Sequence, residues 1–365
     1  MPSDQLQLAV PGVQQLSPYQ PGKPIEALER ELGITNSIKL ASNENPLGPS
    51  RRATQAAVDS LTESTLYPDA SGTALKQALN HHYDIPSEQI TLGNGSNDLL
   101  ELIARVFVRP GDEVVFSEFA FIVYPLVTQA CGASAVVTPA RDFGHDLAAM
   151  ATAISDKTRL VFLANPNNPT GTVFSEDELI AFMASVPEDV IVVLDEAYTE
   201  YLTQDGMPNG LTLVNKYPNM IVTRTFSKAW GLAGLRCGFA VASLMITDLL
   251  NRVRQPFNVN IAALSAAKAV LDDEAYLAES RRVNAEGLEQ LYSGLTSLGV
   301  NFIPSYGNFV CVDFGRDALP IYQALLLKGV IVRPVGIYGL PNHLRVSVGL
   351  ASENKRFIEA LKEVL

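Results

Sequence analysis

Seven short β-rich runs, "QITLG", "EVVFS", "SAVVTP", "RLVFLAN", "VIVVLDEA", "MIVTRTF" and "GFAVAS", recur between residues 89 and 243, mostly separated by segments of helical texture. Alternation of this kind predicts α/β layers around a mostly parallel, seven-stranded sheet. One connecting helix marks its own start: "SEDELIAFMASV" sets Ser175 and Glu178 at capping-box spacing. After about Leu271 the texture changes to a charged helix, "DDEAYLAESRRVNAEGLEQLYSGL". Short strands follow at "FVCVDF", "GVIVRPV" and "LRVSVG", and a last helix has Ser352 as its expected N-cap. Before about Ser37 the chain is rich in proline and turns, which suggests an arm lying on other structure. The expected division is an arm, 1–37, joined to a small domain; a large domain, 38–271; and the small α+β domain, 272–365.

Composition narrows the function classes. The 365 residues suffice for roughly two domains with a substantial core. Although 47% of them are hydrophobic, no run approaches the eighteen or so apolar residues of a membrane span. A formal charge of −12 argues against a general nucleic-acid binder but leaves room for a small basic pocket that takes an anion. Cys131, Cys237 and Cys311 have neither paired nor metal-site spacing, which fits a reducing compartment. The opening "MPSDQLQLAV" has an acid and a proline where a secretory signal has a basic then an apolar segment. A cytoplasmic protein is expected.

Within "TRTFSKAWGLAGLRCGF", Lys228 sits among Phe226, Trp230, Leu232 and Leu235, which read as core residues. Desolvation lowers the pKa of an ammonium, and a neutral amine can attack a carbonyl to form a Schiff base. Lys228 is thus a candidate covalent residue; the competing reading is a lysine snorkelling to the surface from a helix start. Thr225, Ser227 and Arg236 nearby suit a phosphate.

Three other segments are each ambiguous alone. "LGNGSNDLLELIARVF" runs from a strand end into a helix, so free N–H groups around Gly95, Ser96 and Asn97 can hold a phosphate. A dinucleotide fingerprint competes there, weakened because Asp98 replaces its third glycine, as does a plain turn. "NPNNPTG" leaves a buried strand in a constrained turn from which Asn168 can donate to a ligand oxygen, or which is ordinary loop chemistry. "VIVVLDEAY" drives Asp195 to the end of an apolar strand, where a carboxylate needs a partner. A protonated pyridine nitrogen would serve, with Tyr198 reaching a phenolic oxygen on the same ring; a helix cap or salt bridge is the alternative. Together the segments supply an amine for an aldehyde, an acid for a pyridinium and two groups of phosphate donors. Pyridoxal 5'-phosphate needs that set.

The chain also resembles the fold-type I, class I/II aminotransferases, which depend on pyridoxal phosphate, and within them is similar to the histidinol-phosphate aminotransferases. The resemblance is carried by "SPYQPGKPIEALERELG", "KLASNENPLGPS", "LYPDASGTAL", "GNGSNDLLELIARVF", "NPNNPTG", "DEAYTEY", "RTFSKAWGLAGLRCGF", "RQPFNVN" and "LRVSVG". It implies that Lys228 carries the cofactor and shuttles a proton, that Asp195 pairs with the pyridine nitrogen, and that Tyr198 and Asn168 hold the ring hydroxyl. It implies Phe121 stacked on the ring, and Gly95, Ser96, Asn97, Thr225, Ser227 and Arg236 around the phosphate. Tyr67 would reach in from a second subunit of a homodimer, and Tyr19, Asn43, Arg333 and Arg345 would meet the substrate. The implied substrates are the histidinol phosphate and glutamate/2-oxoglutarate pairs of histidine biosynthesis. Aromatic amino-acid transamination, or decarboxylation of a phosphorylated amino acid, is the alternative on the same cofactor. Three features depart from the family pattern: Trp230 where tyrosine or phenylalanine is expected, the stacking loop "FSEFAFIVY", and Gly307 in place of alanine. A nicotinamide-dependent dehydrogenase would rest on "GNGSND" alone and leave Lys228 and Asp195 without roles. A binding module with a dead site is disfavoured by the lysine itself.

Overall fold

Each of the seven runs is a strand, and all seven share one sheet. A computed structural model describes residues 5–18 and 22–365. After the short β1 (Ile38–Lys39), the runs form β2 (Ile90–Gly93), β3 (Glu113–Ser117), β4 (Ser134–Thr138), β5 (Thr158–Ala164), β6 (Ile191–Asp195), β7 (Met220–Thr225) and β8 (Gly238–Ala242). Their order across the sheet is β2-β8-β7-β6-β5-β3-β4. The pairs β4–β3, β3–β5, β5–β6 and β6–β7 are parallel, and β8 runs against both β7 and β2.

Strands buried on both faces read as continuous apolar runs, and alternate residues serve opposite cores. Val161, Leu163, Val192, Leu194 and Val222 join one apolar cluster, while Leu160, Phe162, Ile191, Val193 and Ile221 join the other. The helix Glu176–Met183 starts as expected: Ser175 Oγ accepts from the Glu178 N–H at 3.2 Å, and the Glu178 carboxylate accepts from the Ser175 N–H at 2.8 Å.

The C-terminal part has its own core and its own sheet. A 24-residue helix, Glu274–Ser297, leads into β9 (Asn301–Ile303), β10 (Phe309–Asp313), β11 (Val330–Ile331), β12 (Arg333–Pro334) and β13 (His343–Ser347). The antiparallel order is β12-β13-β10-β9, while β11 pairs in parallel with β1. Val310, Val312, Leu344, Val346 and Phe357 pack into a third cluster. The run "GVIVRPV" therefore divides between two sheets. The helix Ile25–Leu32 turns Leu28 onto Ala41 and Ile331.

One expected cap is corrected. The last helix, Ala351–Val364, already includes Ser352; its start is held by the Glu353 carboxylate, which accepts from the Leu350 N–H at 2.7 Å. An acid three residues along takes the N–H of the capping residue itself, one of the donors a helix start leaves free.

Candidate active site

The carboxyl ends of parallel strands leave a crevice, because each chain must turn away from the sheet there. A cavity of about 550 Å³ lies at the ends of β5, β6 and β7. Its other walls are the segment 41–44, the start of the helix Ser96–Phe107, and Arg333, Tyr338 and Arg345 from the C-terminal part.

Lys228 follows β7 in a turn held by the Phe226 N–H on the Cys237 carbonyl (3.0 Å) and the Leu232 N–H on the Phe226 carbonyl (2.9 Å). Phe226, Trp230 and Leu232 are buried, while the lysine itself lines the cavity. Its Nζ donates to the Ser42 carbonyl at 3.1 Å. Burial first, and then the nearby Arg345 guanidinium, bring its pKa down to about 7, against the opposing pull of Glu44. A substantial neutral amine population near neutral pH follows.

Asp195, at the end of β6, is buried and takes no ion pair from any described residue. Tyr124 Oη donates to its Oδ2 at 2.9 Å, and Thr223 Oγ1, its register partner on β7, donates to Oδ1 at 3.2 Å. Burial still pushes the carboxyl up to about 6. A cationic ring nitrogen is the partner such a carboxylate lacks.

Tyr198, three residues on, has its Oη against two amides: Asn43 Nδ2 donates to it at 2.9 Å and Asn168 Nδ2 at 3.1 Å. Burial raises its pKa to about 12, so the phenol keeps its own proton to donate. Asn168 Oδ1 in turn accepts from Arg345 Nη1, and Arg345 Nη2 donates to the Ala41 carbonyl at 2.7 Å.

Groups that could hold a phosphate gather at the third corner. Ser96 and Asn97 at the helix start face Thr225, Ser227 and Arg236 across the cavity wall. Arg236 Nη1 donates to Ser227 Oγ at 3.2 Å, and the arginine holds a left-handed backbone, φ 62°. Gly95 does not line the cavity; a Cβ there would stand 2.3 Å from Arg236 Nη2, so the glycine is what lets the guanidinium approach the helix start. An amine, an ionised acid with room for a cation, and a phosphate cradle fit pyridoxal phosphate.

Residues 35–361 match the family described as aminotransferase class I and II. The chain belongs to that aminotransferase family. Among similar proteins, histidinol-phosphate aminotransferase 2 of a Pseudomonas fluorescens strain is 58% identical, covering 100% of this chain and 99% of that protein. The protein of the same description from Pseudomonas aeruginosa is 58% identical over 365 residues, covering 100% of this chain and 99% of its own length. The crystal structure of histidinol-phosphate aminotransferase from Sinorhizobium meliloti, in complex with pyridoxal-5'-phosphate, superposes with a TM-score of 0.90 at 32% identity, covering 97% of this chain and 96% of that one.

In this aminotransferase most of the residues expected at the site share the one cavity: Ser96, Asn97, Phe121, Asn168, Asp195, Tyr198, Thr225, Ser227, Lys228, Arg236, Asn43, Arg333 and Arg345 all line it. Tyr67 does not; it is 81% exposed and stacks on Phe257 with ring centroids 4.6 Å apart. Tyr19 lies outside the described residues. Trp230, read as a departure bearing on substrate, turns away from this cavity toward His82, with ring centroids 5.8 Å apart, beside a separate cavity lined by Tyr83 and Glu200. Gly307 is answered by Phe309, whose Cε1 would lie 2.6 Å from an added Cβ. The residues sequence reasoning missed are Tyr124, Thr223, Ser42 and Tyr338. Tyr124 did leave a signal: it stands three residues after Phe121 at a helix start, the spacing that sets two rings on one face.

Proposed function

We propose that this aminotransferase exchanges an amino group between histidinol phosphate and 2-oxoglutarate, with pyridoxal 5'-phosphate as its cofactor. The observation that carries the substrate reading is the pairing of Arg333 with Arg345. The two are register partners on β12 and β13, both buried, and both line the wall of the cavity that holds Lys228. Like charges directly opposite on adjacent strands repel, so a cavity built this way favours an anion between them. Planar guanidinium groups suit a phosphate dianion, and in the other half-reaction the distal carboxylate of glutamate. The names and identities of the Pseudomonas and Sinorhizobium proteins support the same substrate.

The cofactor, when bound, supplies an aldehyde for the amine and a ring that stores the electron pair released at the substrate α-carbon. In this reading Asp195 accepts a hydrogen bond from the ring nitrogen and keeps it protonated. Tyr198 would donate its phenol proton to the ring oxygen, and Phe121 would pack against the ring face. Ser96, Asn97, Thr225, Ser227 and Arg236 fix the phosphate. Lys228 Nζ would take the α-proton and return it, a role that its depressed pKa favours near neutral pH.

Two further parts belong to the same reading. The exposed Tyr67 completes the cavity of a second copy in a homodimer, which explains why it stands apart from its own. The residues around the third apolar cluster, 272–365 with the arm, form a small domain that carries the two arginines against the large domain, 38–271. The enzyme works in the cytoplasm, in keeping with three free cysteines. Among the described residues no helix is long and apolar enough to cross a membrane.

A panel of amino donors against 2-oxoglutarate tests the proposal. Histidinol phosphate should give the largest kcat/KM, with histidinol, which lacks the phosphate, well below it. A preference for phenylalanine would move the enzyme to aromatic amino acids, and release of carbon dioxide would move it to decarboxylation.

A further inference from the structure

Asp195 is held from behind by a residue that none of the expected roles includes. Tyr124 is fully buried, and its ring lies flat on Phe162, with centroids 4.4 Å apart and planes 2° from parallel. Phe121 meets it edge-on at 5.8 Å and 84°. Its backbone is pinned as well, with the N–H on the Phe121 carbonyl at 3.0 Å and the carbonyl accepting from Thr128 Oγ1 at 2.7 Å. A ring so confined has little freedom, and its Oη reaches Asp195 Oδ2 at 2.9 Å.

We infer that Tyr124 is a positioning residue: its O–H, fixed by the stack on Phe162, holds Asp195 in one orientation and as an anion, so that the carboxylate is presented ready to the cofactor's ring nitrogen. The inference rests on the cofactor reading above, in which Asp195 pairs with that nitrogen. The geometry divides the carboxylate in two. Oδ2 takes the phenol at the shorter distance, while Oδ1 takes the longer bond from Thr223.

The electrostatics run the same way. Burial and the adjacent Glu196 carboxylate favour the protonated acid, whereas the donors Tyr124, Thr223 and the Ala197 N–H favour the anion. Tyr198 and Lys228 are the other titratable groups that sense Asp195. Tyr124 itself cannot compete for the charge, because burial and the facing carboxylate lift its own pKa well above the ordinary phenol value. It therefore stays a donor. A donor on the carboxylate also makes it a weaker base, which leaves the shared proton on the ring nitrogen, where electron withdrawal needs it.

Tyr124→Phe keeps the ring on Phe162 and removes only the O–H. Cofactor binding is read by quenching of Trp230, the chain's one tryptophan, in dialysed protein titrated with pyridoxal phosphate. The dissociation constant should rise about tenfold or more, the scale of a hydrogen bond to a charged group. In the loaded enzyme kcat should fall while KM for the amino donor stays within about twofold, since the substrate's anion is gripped elsewhere. Thr223→Val, which removes the second donor without changing volume much, should shift both quantities in the same direction, and it decides the matter if Tyr124→Phe does not fold. In an Asp195→Asn background, where the acceptor carries no charge, adding Tyr124→Phe should cost less than about threefold. An unchanged dissociation constant and kcat in Tyr124→Phe, with Asp195→Asn impaired, would overturn the inference and leave the cofactor reading intact. Equal losses in both backgrounds would also overturn it, reducing Tyr124 to packing. If Asp195→Asn itself alters neither quantity, the cofactor reading fails instead.

Discussion

Lys228 should titrate near pH 7 in the cofactor-free protein, the property on which its proposed use as both nucleophile and base rests. With a pKa of about 7 the amine is about half neutral at pH 7. An ordinary lysine at pKa 10.4 would be neutral in only about one molecule in 2,500. The shift has identifiable sources: burial of the side chain contributes most, and Arg345 is the largest of the charges that disfavour the ammonium. Competitive acetylation with trace acetic anhydride, read lysine by lysine by mass spectrometry from pH 5.5 to 10, measures the neutral fraction directly. Free Nα-acetyl-lysine in the same tube serves as the comparison. Lys228 labelling should rise and level off above about pH 7.5, while the free amino acid keeps climbing about tenfold per pH unit up to 10. Arg345→Leu should move the midpoint up, and Glu44→Gln should move it down. The folded-state pKa lies below the unfolded one, so the lysine costs the fold stability below pH 7, and that cost disappears as pH rises toward 10.5. Lys228→Met should flatten this part of the stability profile. A Lys228 curve that climbs to pH 9 without levelling would refute the reasoning.

Arg333→Leu should reduce kcat/KM for histidinol phosphate by roughly 2–5 kcal/mol in transition-state terms, with a smaller loss for phenylalanine; equal losses for both would point to a folding defect. Tyr67→Ala mixed with Lys228→Ala should regain activity after proven subunit exchange, approaching roughly a quarter of the wild-type rate, because half of the dimers are hybrid and each holds one intact cavity. No recovery would count against a shared site. Gly307→Ala should lower unfolding stability by about 1–3 kcal/mol through overpacking against Phe309. That ring stands edge-on to Tyr198 at 5.3 Å and lies 5.5 Å from the Arg345 guanidinium, so KM for the phosphate substrate should rise as well. Unchanged thermal unfolding would remove the steric explanation of the glycine.

Local chemistry was enough to expose the strands, the lysine and the acid. An apolar run that ends in aspartate, such as "VIVVLDEAY", announces both a buried strand and a carboxylate that needs a partner, since each property lies within a few neighbouring residues. The same holds for the capping box at Ser175, and for Lys228 among core residues. Ser352 shows the limit even at short range, because a hydroxyl and the acid at Glu353 can each hold a helix start through a different free N–H, and only the finished helix start shows which does. Contacts across long sequence separations were not legible at all. Tyr124 and Asp195 meet because one helix start and one strand end converge beyond the sheet, 71 positions apart. Arg333 and Arg345 become direct neighbours only through the register of β12 on β13, which a shift of a single residue would undo by turning one side chain to the opposite face. Composition and periodicity thus determined which residues are buried and which chemistry they carry. Tertiary packing alone decided which of them face one another, because that depends on how separate strands align and not on any one stretch of chain.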